Sequence, residues 1–253
     1  MSNTVDFMKN LLINFTNTYP KEKDDTYKLS RLDFSSMSGT DMYCDDEALT
    51  TIRDSLMPFG PEGIHFIDSG NYHYMSYIFT SMIEKPYILV IFDHHTDMKP
   101  AMFDMLSCGA WIKTVLDNDT NIKKAVLIGP PEKSIDEIPD GDRSDPRLIC
   151  VSEEEYLSAG IPSDVIREIN SLSLPVYLSI DKDILKTSDA VTNWDQGNVS
   201  LDILLDSVHK IPNIMGADIC GLLPEKDGAD PTAYEKNSRS DSALYQAILT
   251  AVS

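Results

Sequence analysis

Residues 87–97 read Tyr87-Ile88-Leu89-Val90-Ile91-Phe92-Asp93-His94-His95-Thr96-Asp97. Six apolar residues in an unbroken run are the pattern of a strand buried on both faces, as in a parallel sheet covered by helices. The run ends abruptly in carboxylates and imidazoles. In open α/β sheets ligands bind beyond the carboxyl ends of the strands, so this stretch sets the expected fold and the expected site together.

The same pattern recurs on both sides of it. Strands are expected at Tyr27–Phe34, Gly63–Asp68, Ile122–Gly129, Arg147–Val151, Pro175–Asp181 and Asn213–Leu223. Segments with helical spacing separate most of them, at Asp45–Leu56, Asn71–Glu84, Ser107–Asp117, Glu153–Leu172 and Leu201–Lys210, with a last one from about Ser240 to Val252. The fold class is therefore a three-layer α/β/α domain with a mainly parallel sheet. At roughly 150 residues per domain, the 253 residues form a single α/β domain, with residues 1–25 read as a short helix or a loosely held extension. Pro130–Pro146, rich in Pro, Gly and Asp, reads as a surface loop.

Composition narrows the partners. Lys and Arg number 21 against 41 Asp and Glu, a formal net charge of −20, which argues against nucleic acid and an anionic membrane surface and admits a cationic small molecule or peptide. No apolar run approaches the ~20 residues needed to span a bilayer, and no secretory leader pattern opens the chain. Cys44, Cys108, Cys150 and Cys220 are scattered without a C-x-x-C pair, so the expected setting is a reduced cytoplasm. No Gly-rich phosphate loop supports a nucleotide cofactor.

Beyond the strand Tyr87–Phe92, extended backbone puts Asp93, His95 and Asp97 on one face, with His94 and Thr96 opposite. The strand from Pro175 ends in Asp181-Lys182-Asp183, two carboxylates on one side, and the strand from Gly63 runs into Ser69-Gly70-Asn71-Tyr72-His73. One D-x-H-x-D alone is more often a turn with surface charges; three such segments, each just after a buried strand, are not. Four carboxylates and two imidazoles gathered at one edge repel one another and persist mainly by binding cations. Mixed Asp and His donors suit Mn, Fe, Co, Ni or Zn better than Ca or Mg. Six ligands exceed the need of one tetrahedral ion, and two bridged ions are the economical arrangement.

These motifs, DSGNYHY with His73, FDHHTDMKP with Asp93, His95 and Asp97, and LSIDKDIL with Asp181 and Asp183, resemble in order and type those of the arginase/agmatinase (ureohydrolase) superfamily over about Gly63–Pro224. The resemblance implies an arginase/deacetylase-like parallel-sheet fold, two Mn2+ per chain, with other divalent transition metals as substitutes, and a homo-oligomer. It implies that Asp93 and Asp181 bridge both ions, that His73 and Asp97 complete one coordination sphere, and that His95 and Asp183 complete the other. It further implies hydrolysis of a guanidine or amidine C–N bond to urea and an amine, with Asp97 as the proton-transferring catalytic carboxylate.

Three departures bear on the substrate. Cys108 stands where the family often has an imidazole, and Gly221 stands where it has a guanidinium-holding Glu, leaving either Glu225 to substitute or room for a bulkier group. After Asp183 the usual Gly-rich sequence gives way to LKTSDAVTNWDQGN, which offers Asn193, Trp194, Asp195 and Gln196 as recognition groups. The expected substrate is a small cationic guanidine or an arginine-containing peptide. Two other classes share the fold: a metal-dependent deacetylase, which wants a His pair beside the site, with His94 the one extra imidazole adjacent, and a non-catalytic metal-binding relative.

Overall fold

The computed structural model describes residues 9–101 and 105–252. Its elements in chain order are β1 (Leu11–Asn14), α1 (Glu22–Tyr27), β2 (Ser30–Asp33), β3 (Tyr43–Cys44), α2 (Asp46–Leu56), β4 (Gly63–Phe66), α3 (Met75–Thr80), β5 (Tyr87–Phe92), β6 (Leu106–Ser107), α4 (Trp111–Asn118), β7 (Ile122–Ile128), α5 (Glu132–Asp136), α6 (Asp140–Arg143), β8 (Leu148–Val151), α7 (Glu153–Ala159), α8 (Ser163–Leu172), β9 (Val176–Asp181), α9 (Leu201–Val208), β10 (Ile214–Cys220) and α10 (Pro231–Val252). Eight strands form one sheet in the order β2-β1-β4-β10-β9-β5-β7-β8, and every pairing in it is parallel. β3 and β6 make a separate antiparallel pair.

β5 shows why an apolar run folds this way. Ile88, Val90 and Phe92 enter one core with residues of α7, α8, α9 and α10. Tyr87, Leu89 and Ile91 enter the other with residues of α2, α3 and α4. A strand alternates its side chains between faces, so both faces must be apolar when helices cover both. All six of these side chains are fully buried, each contributing about 1.5–3 kcal/mol relative to exposure.

The parallel α/β expectation holds, with local differences. Leu11–Asn14, left in the N-terminal extension by the sequence reading, is a strand paired with both β2 and β4; four residues are too short for a periodic signal, and sheet pairing supplies what local pattern does not. Residues 1–8 of that extension lie outside the described residues. Glu153–Leu172 is two helices, separated at Gly160, where φ is +71°, and Pro162, which precedes α8. The surface loop expected at Pro130–Pro146 contains α5 and α6. The final helix begins nine residues earlier than expected, at Pro231. Asp45, outside the helix it precedes, caps α2 by accepting from the Ala48 amide at 2.8 Å. Among the described residues, no helix is long and apolar enough to cross a membrane.

One histidine is purely architectural. His65 on β4 is fully buried, stacked on Phe79 with ring centroids 4.2 Å apart, and burial lowers its pKa from the usual 6.5 to about 4. The folded protein holds it neutral, whereas the unfolded chain binds a proton once the pH drops below that of free imidazole. Stability intact near neutrality is therefore lost as the pH falls toward the folded value, by about 2 kcal/mol at about pH 5. Denaturant unfolding at the two pH values should show the wild type losing that much more than a His65→Leu variant; equal losses would remove the assignment.

Candidate metal centre

The strand order decides the site. β4, β10, β9 and β5 are consecutive neighbours in the sheet, so the segments leaving their carboxyl ends meet although they lie far apart in sequence. A turn from Gly70 to Tyr72 after β4 delivers His73. β5 delivers Asp93 at its end, and a left-handed Asp97, φ +46°, bends the chain back over it. β9 ends in Asp181, whose carboxylate caps the following turn by accepting from the Asp183 amide at 3.0 Å.

All six expected side chains converge on one cavity of about 330 Å³. His73 Nδ1 stands 3.2 Å from Asp93 Oδ2, 3.3 Å from Asp97 Oδ2 and 3.5 Å from Asp181 Oδ2. His95 Nδ1 stands 2.8 Å from Asp183 Oδ2 and 3.6 Å from Asp93 Oδ1. The groups His73/Asp93/Asp181 and Asp93/His95/Asp183 each bring their ligating atoms within 4.8 Å of one another. Asp93 belongs to both groups, whereas Asp181 belongs to that of His73.

Electrostatics make this arrangement cation-hungry. Burial lowers the His73 pKa, but the facing Asp93 and Asp97 carboxylates outweigh it and hold the imidazole well above its ordinary range. Burial raises Asp183, and Asp181 and Asp93 push it further up. Burial also raises Asp97, to about 6, helped by the charge on Asp93. The buried Asp93 Oδ2 has no hydrogen-bond partner. A buried, closely spaced set of donors with mixed O and N chemistry fits divalent transition ions.

Supporting residues sit behind the cluster. His73 Nε2 lies 2.9 Å from Ser179 Oγ, which donates to Asp218 Oδ1 at 2.8 Å. Ser179 thereby accepts from His73 Nε2–H, which orients the ring so that Nδ1 faces the carboxylates, as a donor when protonated and with a lone pair for an ion when one is bound. Trp111 Nε1 donates to Asp97 Oδ2 at 2.7 Å. Lys182, between the two aspartates, points away from the cavity, fully buried, and pairs with Asp241 at 2.7 Å; Lys23 pairs with the same carboxylate at 2.7 Å. The sequence reading missed these groups. Only Ser179 had a signal, two residues before Asp181 and so on the same strand face.

The low-signal substrate residues divide. Trp194 and Cys108 line the cavity. Trp194 Nε1 is held by Asn71 Oδ1 at 2.9 Å, and Gly70 lacks the Cβ that would strike the indole at 2.8 Å. Burial pushes the Cys108 thiol up to about 12, so no local field makes it a thiolate. Asn193 bonds Asn71 Oδ1 at 2.9 Å and, like Asp195, is absent from the cavity lining. Glu225 is exposed and also outside that lining, which corrects its reading as a substitute anchor: the chain turns outward at Pro224. Gly221 does not leave room for a larger substrate, because its φ is +87° and a Cβ there would lie 2.4 Å from Asp181 Oδ1. His94 stays out of the cavity lining, with Nε2 3.8 Å from Asp195 Oδ2 and Nδ1 3.9 Å from Glu153 Oε1, so the His pair a deacetylase wants does not face the site. The Pro130–Pro146 segment, expected as mere surface, contributes Ser134, Glu137, Ile138 and Pro139 to the mouth.

A parallel α/β sheet carrying an Asp/His cluster at its carboxyl edge defines the class of protein. The sequence profile of the arginase family matches residues 45–240, and the chain belongs to that family. An uncharacterized protein of Thermotoga maritima is 33% identical over 181 residues, covering 71% of this chain and 63% of that protein, so the match spans less than two thirds of its length. Similar solved structures include formimidoylglutamase from Bacillus subtilis, with TM-score 0.65, 14% identity and coverage of 99% of this chain and 90% of that one. Proclavaminate amidino hydrolase from Streptomyces clavuligerus gives TM-score 0.64, 17% identity, and coverage of 95% and 92%. Formiminoglutamase from Trypanosoma cruzi, solved with Mn2+, gives 0.62, 13%, 97% and 96%.

Proposed function

We propose that the protein is a hydrolase of a C–N bond in a guanidine or amidine group, dependent on two Mn2+ or similar divalent ions, and that from a guanidine it releases urea and an amine. The observation that carries this reading is the meeting of His73, Asp93, His95, Asp97, Asp181 and Asp183 around one cavity, five of them in two close groups sharing Asp93 and Asp97 beside His73. One ion would be held by His73, Asp93, Asp97 and Asp181, the other by Asp93, His95, Asp181 and Asp183. Such a pair, when bound, makes water a nucleophile near neutral pH.

The chain's own groups supply the rest. Asp97, buried at the cavity beside Asp93 and His73, takes a proton from the attacking water at a carboxylate oxygen and returns it to the departing nitrogen. Trp111, bonded to Asp97 Oδ2, fixes that carboxylate's rotamer during both transfers. Trp194 gives the cavity an aromatic wall, pinned by Asn71, against which a planar cation stacks, a contact worth about 0.5–2 kcal/mol. Cys108, a neutral thiol, takes no part in proton transfer at neutral pH. The acidic composition and the family relation support a small cationic guanidine or arginine-containing peptide as substrate, the family relation supports a homo-oligomeric state, and four scattered free cysteines support a cytoplasmic setting.

The test is metal analysis of the purified protein followed by urea release from arginine, agmatine, guanidinobutyrate and arginine-containing peptides, with and without chelator. Chelator-sensitive urea release from any of them supports the reading. Amine release from acetylated substrates with no urea from any guanidine would replace it with a deacetylase.

A further inference from the structure

The loop that departs most from the family pattern is held as firmly as a secondary-structure element. Gly197 N donates to Asp183 O at 2.7 Å, Thr192 N to Gln196 Oε1 at 3.1 Å, and Gln196 Nε2 to Leu185 O at 2.8 Å and Ala190 O at 3.2 Å. Trp194 is tied to Asn71 on the His73 side of the cluster. Between these anchors Asp195 is carried over the outer edge of His95, with Oδ1 2.9 Å from Nε2. The other imidazole nitrogen, Nδ1, faces Asp183 and Asp93. The two nitrogens of His95 are thus divided between an outer carboxylate and the cluster.

We infer that Asp195 is a positioning residue for His95: it accepts the Nε2–H, fixes the tautomer that aims the Nδ1 lone pair inward, and so strengthens the hold on one of the two ions. The inference rests on the metal-centre reading above. A carboxylate behind a ligating imidazole orients the ring and raises its basicity, and removing such a partner typically weakens metal affinity about ten- to a hundredfold. His73 has a different partner, Ser179, so the effect falls on one half of the cluster. The Asp195 side chain is 77% exposed, and an exposed pair of this kind adds little to folding itself. Its role therefore shows when metal binds.

The experiment is Mn2+ titration of the full-length wild type, Asp195→Ala and Asp195→Asn, free Mn2+ being read by electron paramagnetic resonance, with melting temperatures taken in chelator. The wild type should bind two ions. Asp195→Ala should bind one ion with unchanged affinity and the second about ten- to a hundredfold more weakly. Asp195→Asn, which keeps an acceptor oxygen but not the charge, should fall between them. All three metal-free proteins should melt together. If the wild type binds two ions and Asp195→Ala binds both with wild-type affinities, or if the metal-free Ala variant melts well below the wild type, the positioning role is overturned while the metal centre stands. A wild type that binds no Mn2+ overturns the metal-centre reading itself.

Discussion

Asp93→Ala is expected to strip both ions from the purified protein and to lower hydrolysis on the order of 10³-fold or more, as when a group that works as a unit loses a central member. Asp93 is the side chain common to the two close donor groups, and with Asp181 it is proposed to touch both ions. Its Oδ1 also accepts from the His95 amide at 2.6 Å, so its loss frees the turn that aims His95. The metal-free fold should lose stability too. Burial raises the Asp93 pKa, but the facing His73 and His95 outweigh it and hold the carboxyl well below its ordinary range, so its loss leaves two imidazolium charges less compensated. In chelator the variant should melt below the wild type. With Mn2+ added the wild type should gain stability by linkage and the variant should not. Elemental analysis and paired melting curves measure this. Full metal content in Asp93→Ala would refute the shared-ligand reading. Cys108→Ala, which touches the cavity without belonging to either group, should keep both ions.

Gly221→Glu, which restores the residue type expected at this point in the family motif, is expected to damage the site and not to create a guanidinium anchor. At φ +87° an L side chain is strained, and the added Cβ would lie 2.4 Å from Asp181 Oδ1 and 2.9 Å from Lys182 N. Backbone strain of about 1–3 kcal/mol and overpacking of about 1–3 kcal/mol together give a loss of about 3 kcal/mol or more. For a chain of this size that corresponds to a melting temperature lower by about 6–12 °C. Because the clash falls on Asp181, Mn2+ affinity should drop in the same variant. Gly221→Ala isolates the steric part and should show most of the loss. An Ala variant that melts with the wild type and loads metal normally would mean the strand end yields, and that the glycine was not required.

The two results probe the same sheet edge from opposite sides. Asp93 is legible because β5 is a plain apolar run ending in carboxylates and imidazoles; the period-two reading beyond it does not carry through, because the chain leaves the extended form after Phe92, Asp97 is left-handed and Thr96, expected on the opposite face, also lines the cavity. Gly221 looked like vacant space. Only the pairing of β10 beside β9, with Cys220 opposite Asp181, shows that the space is filled by the Asp181 carboxylate. Glu225 failed for a related reason: proximity in sequence to Pro224 says nothing about the direction in which the chain leaves the sheet. Leu11–Asn14 escaped notice because a four-residue strand between β2 and β4 takes its stability from neighbours that local pattern does not contain.

Residue order was sufficient for the parallel α/β class and for naming six side chains that meet at one cavity, because burial on two faces and the abrupt change from apolar to carboxylate and imidazole residues are both written locally along each strand. Tertiary packing alone assigned the donors to two groups sharing Asp93, hung Ser179 and Asp218 behind His73, bound Trp111 to Asp97 and laid Asp195 over His95. Those contacts join residues as far apart in sequence as His73 and Asp181, and a hydrogen bond is decided by distances of a few tenths of an ångström, which emerge only when the sheet has set its strand order and register.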